Sequence, residues 1–162
     1  MIASASRIYS VDTSSLLHAW QRAYPPEQFP GWWTKLDGLL DDGRLVATIE
    51  VYYELEKKDD DVFAWAKQRK DTLFREIDDD VQSAVVSIMT NYPRLVDTKT
   101  GKSGGDPFVI AQAMALGTPG CVLTEEDAGS ERSPKIPHVC LLEGIDCCNL
   151  VEMMKHEQWT FA

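Results

Sequence analysis

The sequence predicts an α/β fold in which helices cover both faces of a parallel β-sheet. Short apolar segments typical of buried strands alternate with longer segments of helical periodicity. The chain has 162 residues, 44% of them hydrophobic, which is enough to form the core of one ordinary domain. No internal repeat, low-complexity tract or domain boundary is evident, so residues 1–162 are predicted to form a single domain.

The first half of the chain begins with a strand, RIYSVD (7–12), which ends at Asp12. The next segment predicts a helix capped by Thr13 or Ser14. A proline-rich loop (24–31) leads into a helix that Gly43 ends. The further elements predicted here are a strand at 44–48 and helices at 49–58, 59–70 and 78–93, two of them starting in acidic runs at 59–61 and 78–80.

The second half continues the alternation. DPFVIAQAMALG (106–117) predicts a helix with Pro107 in its first turn and Gly117 just past its end. GCVLT (120–124) predicts a buried strand followed by acids. The closing segments predict short strands at HVCLLEG (138–144) and IDCCN (145–149) and a helix at LVEMMKHE (150–157).

The charge balance is acidic, with 26 acids, 16 bases and a formal net charge of -10. Nucleic-acid binders usually show the reverse balance, so such a ligand would need a local basic patch, a bound metal or a basic partner. No apolar run reaches the roughly 18 residues of a membrane span, and no signal peptide is evident. We therefore expect a cytoplasmic protein with no membrane contact.

The four cysteines are predicted to be reduced thiols buried in the core, because they lie among apolar residues late in the chain. They are Cys121, Cys140, Cys147 and Cys148. A zinc site made by His138 and the last three cysteines would lack the usual Cys-x-x-Cys spacing, so the sequence argues against zinc.

Several acids are predicted to lie at the carboxyl ends of the strands, where open parallel sheets bind ligands. Asp12 ends the first strand, Glu50 and Glu54 follow the second, and Asp106 begins a helix. The strand at 120–124 leads into Glu125, Glu126 and Asp127. Adjacent carboxylates repel one another, and Mg²⁺ or Mn²⁺ with its preference for oxygen ligands would remove that repulsion.

Each acid alone also fits a simpler role. Asp106 before Pro107 is a natural N-cap, which is worth about 1 kcal/mol, and Asp12 can cap the helix that follows it. Glu50 and Glu54 can form an ordinary solvated helix face, and the acids after residue 124 can form a loop. The metal hypothesis therefore depends on the acids converging.

Four segments resemble, in order and rough spacing, a PIN domain, and in particular the PIN-like ribonucleases of the VapC toxin type. They are YSVDTSSLLHAW, IEVYYELEKK, GGDPFVIAQAMALG and VLTEED. The tail KIPHVCLLEGIDCCNLVEMM is similar to the close of one PIN-like subgroup. The resemblance covers nearly the whole chain and implies the PIN-like three-layer fold, in which a central parallel sheet lies between helices. Proteins of this family are often dimeric.

The resemblance also implies a site. Asp12, Glu54 and Asp106 match the first three acids of the family, with Glu50 as the alternative to Glu54 if the helix register differs by one turn. The family often closes its site with Thr-x-Asp, whereas this chain has Thr124-Glu125-Glu126. Glu126 thus falls on the fourth position, with Glu125 and Asp127 as alternatives. Thr13, Ser14 and Thr124 would orient water or phosphate.

The activity that the resemblance implies is a Mg²⁺- or Mn²⁺-dependent endoribonuclease, usually the toxin of a toxin–antitoxin pair. Metal-bound water would attack an RNA phosphodiester in line and leave 5′-phosphate and 3′-hydroxyl ends. The expected partners are the RNA substrate, an antitoxin protein and a second copy of the chain. One alternative is a catalytically silent PIN-like module that only binds a partner.

A second alternative is a phosphotransferase that binds a nucleotide through TGKSGG (100–105). A phosphate loop needs an earlier glycine at the position that Val96 occupies here. Gly104 and Gly105 also separate Lys102-Ser103 from the helix, and Pro107 removes an N–H donor. We therefore interpret this segment as a flexible approach to Asp106, with Lys102 as a mobile point charge for RNA phosphate.

Overall fold

The computed structural model describes residues 6–97, 99–101 and 103–162. One five-stranded sheet has the order β3-β2-β1-β4-β5, and every neighbouring pair of strands is parallel. The strands are β1 (Ile8–Val11), β2 (Leu45–Thr48), β3 (Phe74–Arg75), β4 (Gly120–Leu123) and β5 (Asp146–Cys148). The prediction of an α/β fold with a parallel sheet is confirmed.

Helices connect these strands. They are α1 (Thr13–His18), which continues as a π-helix (Ala19–Ala23), α2 (Pro30–Asp41), α3 (Ile49–Lys58), α4 (Asp61–Gln68), α5 (Lys70–Leu73), α6 (Asp79–Asn91), α7 (Asp106–Leu116), α8 (Ile136–Glu143) and α9 (Leu150–His156). Among these helices, none combines the length and the apolarity needed to cross a bilayer.

Adjacent residues of β1 show why the fold has three layers, since successive side chains of a strand point to opposite faces. The Ser10 hydroxyl donates a hydrogen bond to the Val109 carbonyl of α7 at 2.8 Å and contacts Gln112 Oε1 at 2.7 Å. The Tyr9 hydroxyl donates to Glu157, just past α9, at 2.6 Å. The central strand is therefore covered on both faces, as in the three-layer PIN-like fold.

The strand order places the carboxyl ends of β1 and β4 at a switch point. From β1 the chain moves outward through β2 to β3, then returns to the other side of β1 for β4 and β5. The connections after β1 and β4 therefore leave in opposite directions, and a crevice forms between them. Val11 pairs with Leu123 at the ends of the two strands, so the residues that follow each strand are neighbours.

Most predicted elements are found where the sequence placed them, including the acidic helix starts. Asp60 and Asp78 accept hydrogen bonds from the Phe63 and Val81 amides at 3.3 and 2.8 Å. The first helix differs from the prediction, because its N-cap position is Asp12 rather than Thr13 or Ser14.

The prediction of a strand at 138–144 was wrong, because this segment lies in α8. Ile136, Val139 and Cys140 are its buried residues and recur at helical spacing, whereas Leu141 is 79% exposed. Pro137 in the first turn and Gly144 with φ 68° at the end are ordinary helix signals. A short apolar run does not by itself separate strand from helix.

Candidate functional site

Each predicted site acid lies at the carboxyl edge of the sheet or faces it from a helix. Asp12 directly follows β1, and Glu126 follows β4 by three residues. Asp106 is the first residue of α7, and Glu54 lies in α3, which begins immediately after β2. The convergence that the sequence predicted thus follows from strand order.

Three of these acids form one cluster. Carboxylate oxygens of Asp12, Asp106 and Glu126 all lie within 4.8 Å of one another. Asp12 is 3% and Asp106 5% exposed, and Glu126 is half-buried. Glu54 is not one of this three-acid group.

Two hydroxyls fix the Asp12 carboxylate. Ser14 Oγ and Thr124 Oγ1 both donate to Asp12 Oδ2, at 2.7 and 2.9 Å. The Thr124 hydroxyl also accepts the Glu126 amide at 3.1 Å, and Ser14 Oγ accepts the Glu125 amide at the same distance. The hydroxyls therefore join the end of β1 to the turn that carries Glu126.

Thr13 and Ser14, which were predicted together, have different surroundings. Ser14 contacts Asp12 directly, as described above. Thr13 is buried, and its hydroxyl lies near the Glu54 carboxylate, whose pKa it lowers, without forming a hydrogen bond of good geometry. An unpartnered buried hydroxyl costs free energy, so a ligand or water that reached it would be favoured.

The protein holds these carboxyls in an environment that disfavours their charge. Burial, followed by the charges of Asp12, Glu126 and Glu54, raises the pKa of Asp106 to about 9. Burial also raises the pKa of Asp12, although hydrogen bonds from Ser14 and Thr124 partly offset this effect. Burial and the charge of Asp12 raise the pKa of Glu126. Without a cation, Asp106 therefore retains its proton at neutral pH.

Glu54 approaches the cluster from α3. Its Oε1 lies against the bare α-carbon of Gly105, in the space where a β-carbon would sit. The same oxygen is buried and has no hydrogen-bond partner among the described residues. Burial and the charge of Asp12 raise the pKa of Glu54 to about 7.

The alternative acids point to other roles. Glu125 Oε1 accepts the Leu150 amide at 2.7 Å at the start of α9. The Asp127 side chain is 80% exposed and lies 3.6 Å from the Lys135 ammonium. Glu50 lines the same cleft as Glu54, but it is Glu54 that has a buried oxygen without a well-formed hydrogen bond and whose charge helps to raise the pKa of Asp106. The geometry therefore favours Glu54 and Glu126 over these alternatives.

This arrangement suits a hard divalent cation. Three clustered carboxylates supply oxygen ligands, and their mutual repulsion is the penalty that a cation removes. Glu54 Oε1 adds a further unpartnered oxygen. The described cysteines are unbridged thiols, Cys121, Cys140 and Cys148 buried and Cys147 half-buried. Among the described residues, no cluster of side chains that could hold a metal ion contains a cysteine.

The phosphate-loop alternative has little support in the described geometry. A phosphate loop follows a strand directly. Between α6 and α7, residues 92–97, 99–101 and 103–105 contain no strand. Lys102 and its predicted contact with RNA phosphate lie outside the described residues.

Gly105 is the site residue that the sequence did not single out for a role. It was interpreted only as part of a flexible approach, yet it is buried and leaves room for Glu54. The Gly-Gly pair directly before a helix-starting acid was the available signal.

The volume of a cleft does not indicate where the acids cluster. A cleft of about 440 Å³ beside Thr48 and Gln112 includes none of the clustered acids.

Comparison with known proteins identifies a family but no activity. No curated protein matches the chain. The sequence profile of one family, described as "Domain of unknown function (DUF4411)", matches residues 9–161. Because this match covers nearly the whole sequence, including every clustered acid, the chain belongs to the DUF4411 family.

Proposed function

We propose that the chain is a Mg²⁺- or Mn²⁺-dependent endoribonuclease that hydrolyses RNA phosphodiester bonds. The observation that carries the proposal is the cluster of Asp12, Asp106 and Glu126 carboxylates at the switch point of a parallel sheet. The resemblance of the sequence to PIN-like ribonucleases supports the same activity independently of the geometry.

Asp12, Asp106 and Glu126 would hold the ion, and Glu54 would face them from α3. When bound, the ion would stabilise negative charge on phosphate oxygens and supply a water of lowered pKa. Burial of Asp12 and Asp106 keeps competing water away from their oxygens. The Ser14 and Thr124 hydroxyls hold the Asp12 carboxylate in one orientation, as groups that hydrogen-bond to metal ligands commonly do.

The setting of the activity follows from the resemblance. We propose that the chain is the toxin of a toxin–antitoxin pair of the VapC type and acts in the cytoplasm. An antitoxin protein and a second copy of the chain are its proposed protein partners. The net charge of -10 is compatible with an RNA substrate if bound metal draws phosphate into the acidic site.

The decisive experiment measures cleavage of labelled single-stranded RNA by the purified chain with Mg²⁺, with Mn²⁺ and in excess chelator. We expect cleavage only with a divalent ion. Asp12→Asn and Asp106→Asn should each reduce the rate by orders of magnitude while the thermal unfolding transition is retained. Full activity in chelator would overturn the metal mechanism, and wild-type rates in either variant would overturn the site. A chain that binds a partner but cuts no RNA with any ion would support the silent module.

A further inference from the structure

A cleft of about 380 Å³ lies along α3, beside the acid cluster. Its inner end is lined by Thr13, Glu54 and Gly105, which adjoin Asp12 and Asp106 in sequence or in space. Its outer end is lined by Tyr53, Lys57 and Lys58. The cleft therefore places an aromatic and basic surface close to the residues that adjoin the clustered carboxylates.

The inner end carries polar atoms that lack well-formed hydrogen bonds. Thr13 is 7% exposed, and neither its Oγ1 nor Glu54 Oε1 makes a hydrogen bond of good geometry among the described residues, although Thr13 lies near enough to Glu54 to lower the pKa of that carboxyl. Buried polar groups in native proteins are nearly always satisfied, and the exceptions often mark a place where a ligand or water binds. A ligand with hydrogen-bonding groups is therefore expected at this end.

The outer end offers a different chemistry. The Tyr53 side chain is 45% exposed, although large aromatic rings are usually buried. Lys57 and Lys58 are exposed and form no ion pair with any residue that the structure describes. Positions 53 and 57 are four apart in α3, so the ring and the first ammonium lie on one helix face.

We propose that this cleft binds the single-stranded RNA that leads into the acid cluster, a proposal that rests on the function above. Tyr53 stacks on an unpaired base, and Lys57 and Lys58 contact the adjoining phosphates. Base stacking requires an unpaired base with an accessible face, so the cleft selects single strands over duplexes. The two lysines also place positive charge beside the entrance of an otherwise acidic site.

The test is fluorescence anisotropy of a short fluorescein-labelled single-stranded RNA of mixed sequence, with every variant built on Asp12→Asn so that the RNA stays intact. Tyr53→Ala should weaken binding roughly tenfold, whereas Tyr53→Phe keeps the ring and should bind normally. The double variant Lys57→Ala/Lys58→Ala should lower the slope of log affinity against log salt by about 1.4, at about 0.7 per lost phosphate contact. Lys155→Ala, at an exposed lysine of α9, is the matched control and should have no effect.

The outcomes separate this proposal from the proposed function. Equal affinity for the duplex form of the RNA, or wild-type binding by Tyr53→Ala and the double lysine variant, would overturn the cleft assignment. If those variants also cleaved normally in an otherwise wild-type chain while Asp106→Asn did not cleave, the nuclease would stand without this cleft. RNA binding that depends on Tyr53 without cleavage by any metal form would support the cleft and overturn the nuclease.

Discussion

The Glu54 carboxylate lies over the α-carbon of Gly105 and occupies the space that a side chain there would fill. Gly105 is also the residue directly before Asp106 and the N-cap position of α7. Close approach between α3 and the start of α7 therefore depends on a missing side chain. This contact brings Glu54, the predicted second acid of the site, towards the cluster.

Gly105→Ala should consequently reduce metal-dependent cleavage with little loss of stability. The backbone of Gly105 has φ -80°, which alanine adopts without strain, so the fold can accept the change. The added β-carbon would clash with Glu54 Oε1, the mobile end of a long side chain. We expect Glu54 to be displaced and the cleavage rate to fall roughly tenfold or more, since misplaced catalytic groups commonly cost at least that much.

Gly38→Ala is the matched control. Gly38 lies at an exposed position in the middle of α2, and nothing lies within 4 Å of the added β-carbon. It should leave cleavage unchanged and stabilise the chain by about 0.5–1 kcal/mol. Thermal unfolding and RNA cleavage, measured on both variants, test whether Gly105→Ala lowers the cleavage rate without lowering stability. Equal cleavage by Gly105→Ala and Gly38→Ala would show that the position of Glu54 is unimportant.

Glu54→Gln should reduce cleavage far more than Glu50→Gln. Glu54 Oε1 is buried near Asp12, and the charge of Glu54, not that of Glu50, is among those that raise the pKa of Asp106. Glu126→Gln should have a milder effect, because its side chain is half-buried and longer than the usual family residue. Single-turnover cleavage rates at saturating Mg²⁺ provide the comparison, and a larger loss with Glu50→Gln would make Glu50 the second ligand.

The sequence predicted the elements that strong local signals define. Asp60 and Asp78 before amphipathic helices and Gly117 after α7 fix helix ends through capping chemistry. It missed β3, because two residues are too few to show an alternating pattern. The misassignment of α8 came from a short apolar run that was read as a strand, although Pro137 and Gly144 at its two ends are helix signals.

The site was predictable in part. Acids at the ends of parallel strands pointed to Asp12 and Glu126, since strand order brings such ends together. The choice among Glu125, Glu126 and Asp127 was not available from the sequence, because it depends on which acid the start of α9 and Lys135 engage. The contact between Glu54 and Gly105 joins two distant segments, and no local pattern encodes it.

Thr124→Val should weaken metal binding although Thr124 carries no charge. Its hydroxyl donates to Asp12 and accepts the Glu126 amide, so both acids lose a partner when it is removed. Loss of a hydrogen bond to a metal ligand typically reduces metal affinity by roughly 10- to 100-fold. Calorimetric titration with Mn²⁺ tests this, with Thr90→Val on the exposed face of α6 as the control. Unchanged Mn²⁺ affinity would contradict a positioning role for this hydroxyl.

The chain should not bind ATP or GTP specifically at micromolar concentration. The described residues between α6 and α7 contain no strand, and Pro107 removes one N–H donor at the start of α7. Lys102→Ala should leave metal binding intact and reduce RNA cleavage modestly, less than Asp106→Asn does. Tight nucleotide binding that Lys102→Ala abolishes, measured by calorimetry, would restore the phosphotransferase alternative.

The metal-free chain should become less stable as the pH rises from about 4 towards 9. The pKa of Asp106 is about 9 and that of Glu54 about 7 in the folded chain, both above the ordinary values of 3.8 and 4.5 that apply after unfolding. Between those limits the folded state binds more protons than the unfolded state, so raising the pH favours unfolding. One extra bound proton corresponds to about 1.4 kcal/mol per pH unit, or about 4 °C in Tm for a chain of this size.

Asp106→Asn should remove the part of this dependence that Asp106 contributes, because asparagine is neutral at every pH in the range. In chelator at pH 8 it should therefore unfold at a higher temperature than the wild type, although we expect it to be inactive. Saturating Mg²⁺ should raise the wild-type Tm more at pH 8 than at pH 5, where protons compete for the same oxygens. Asp41→Asn, at an exposed acid that ends α2, serves as the control and should keep the wild-type pH profile. A metal-free wild type whose Tm rises steadily between pH 5 and 8 would show that the acids are not held close together in a buried cluster.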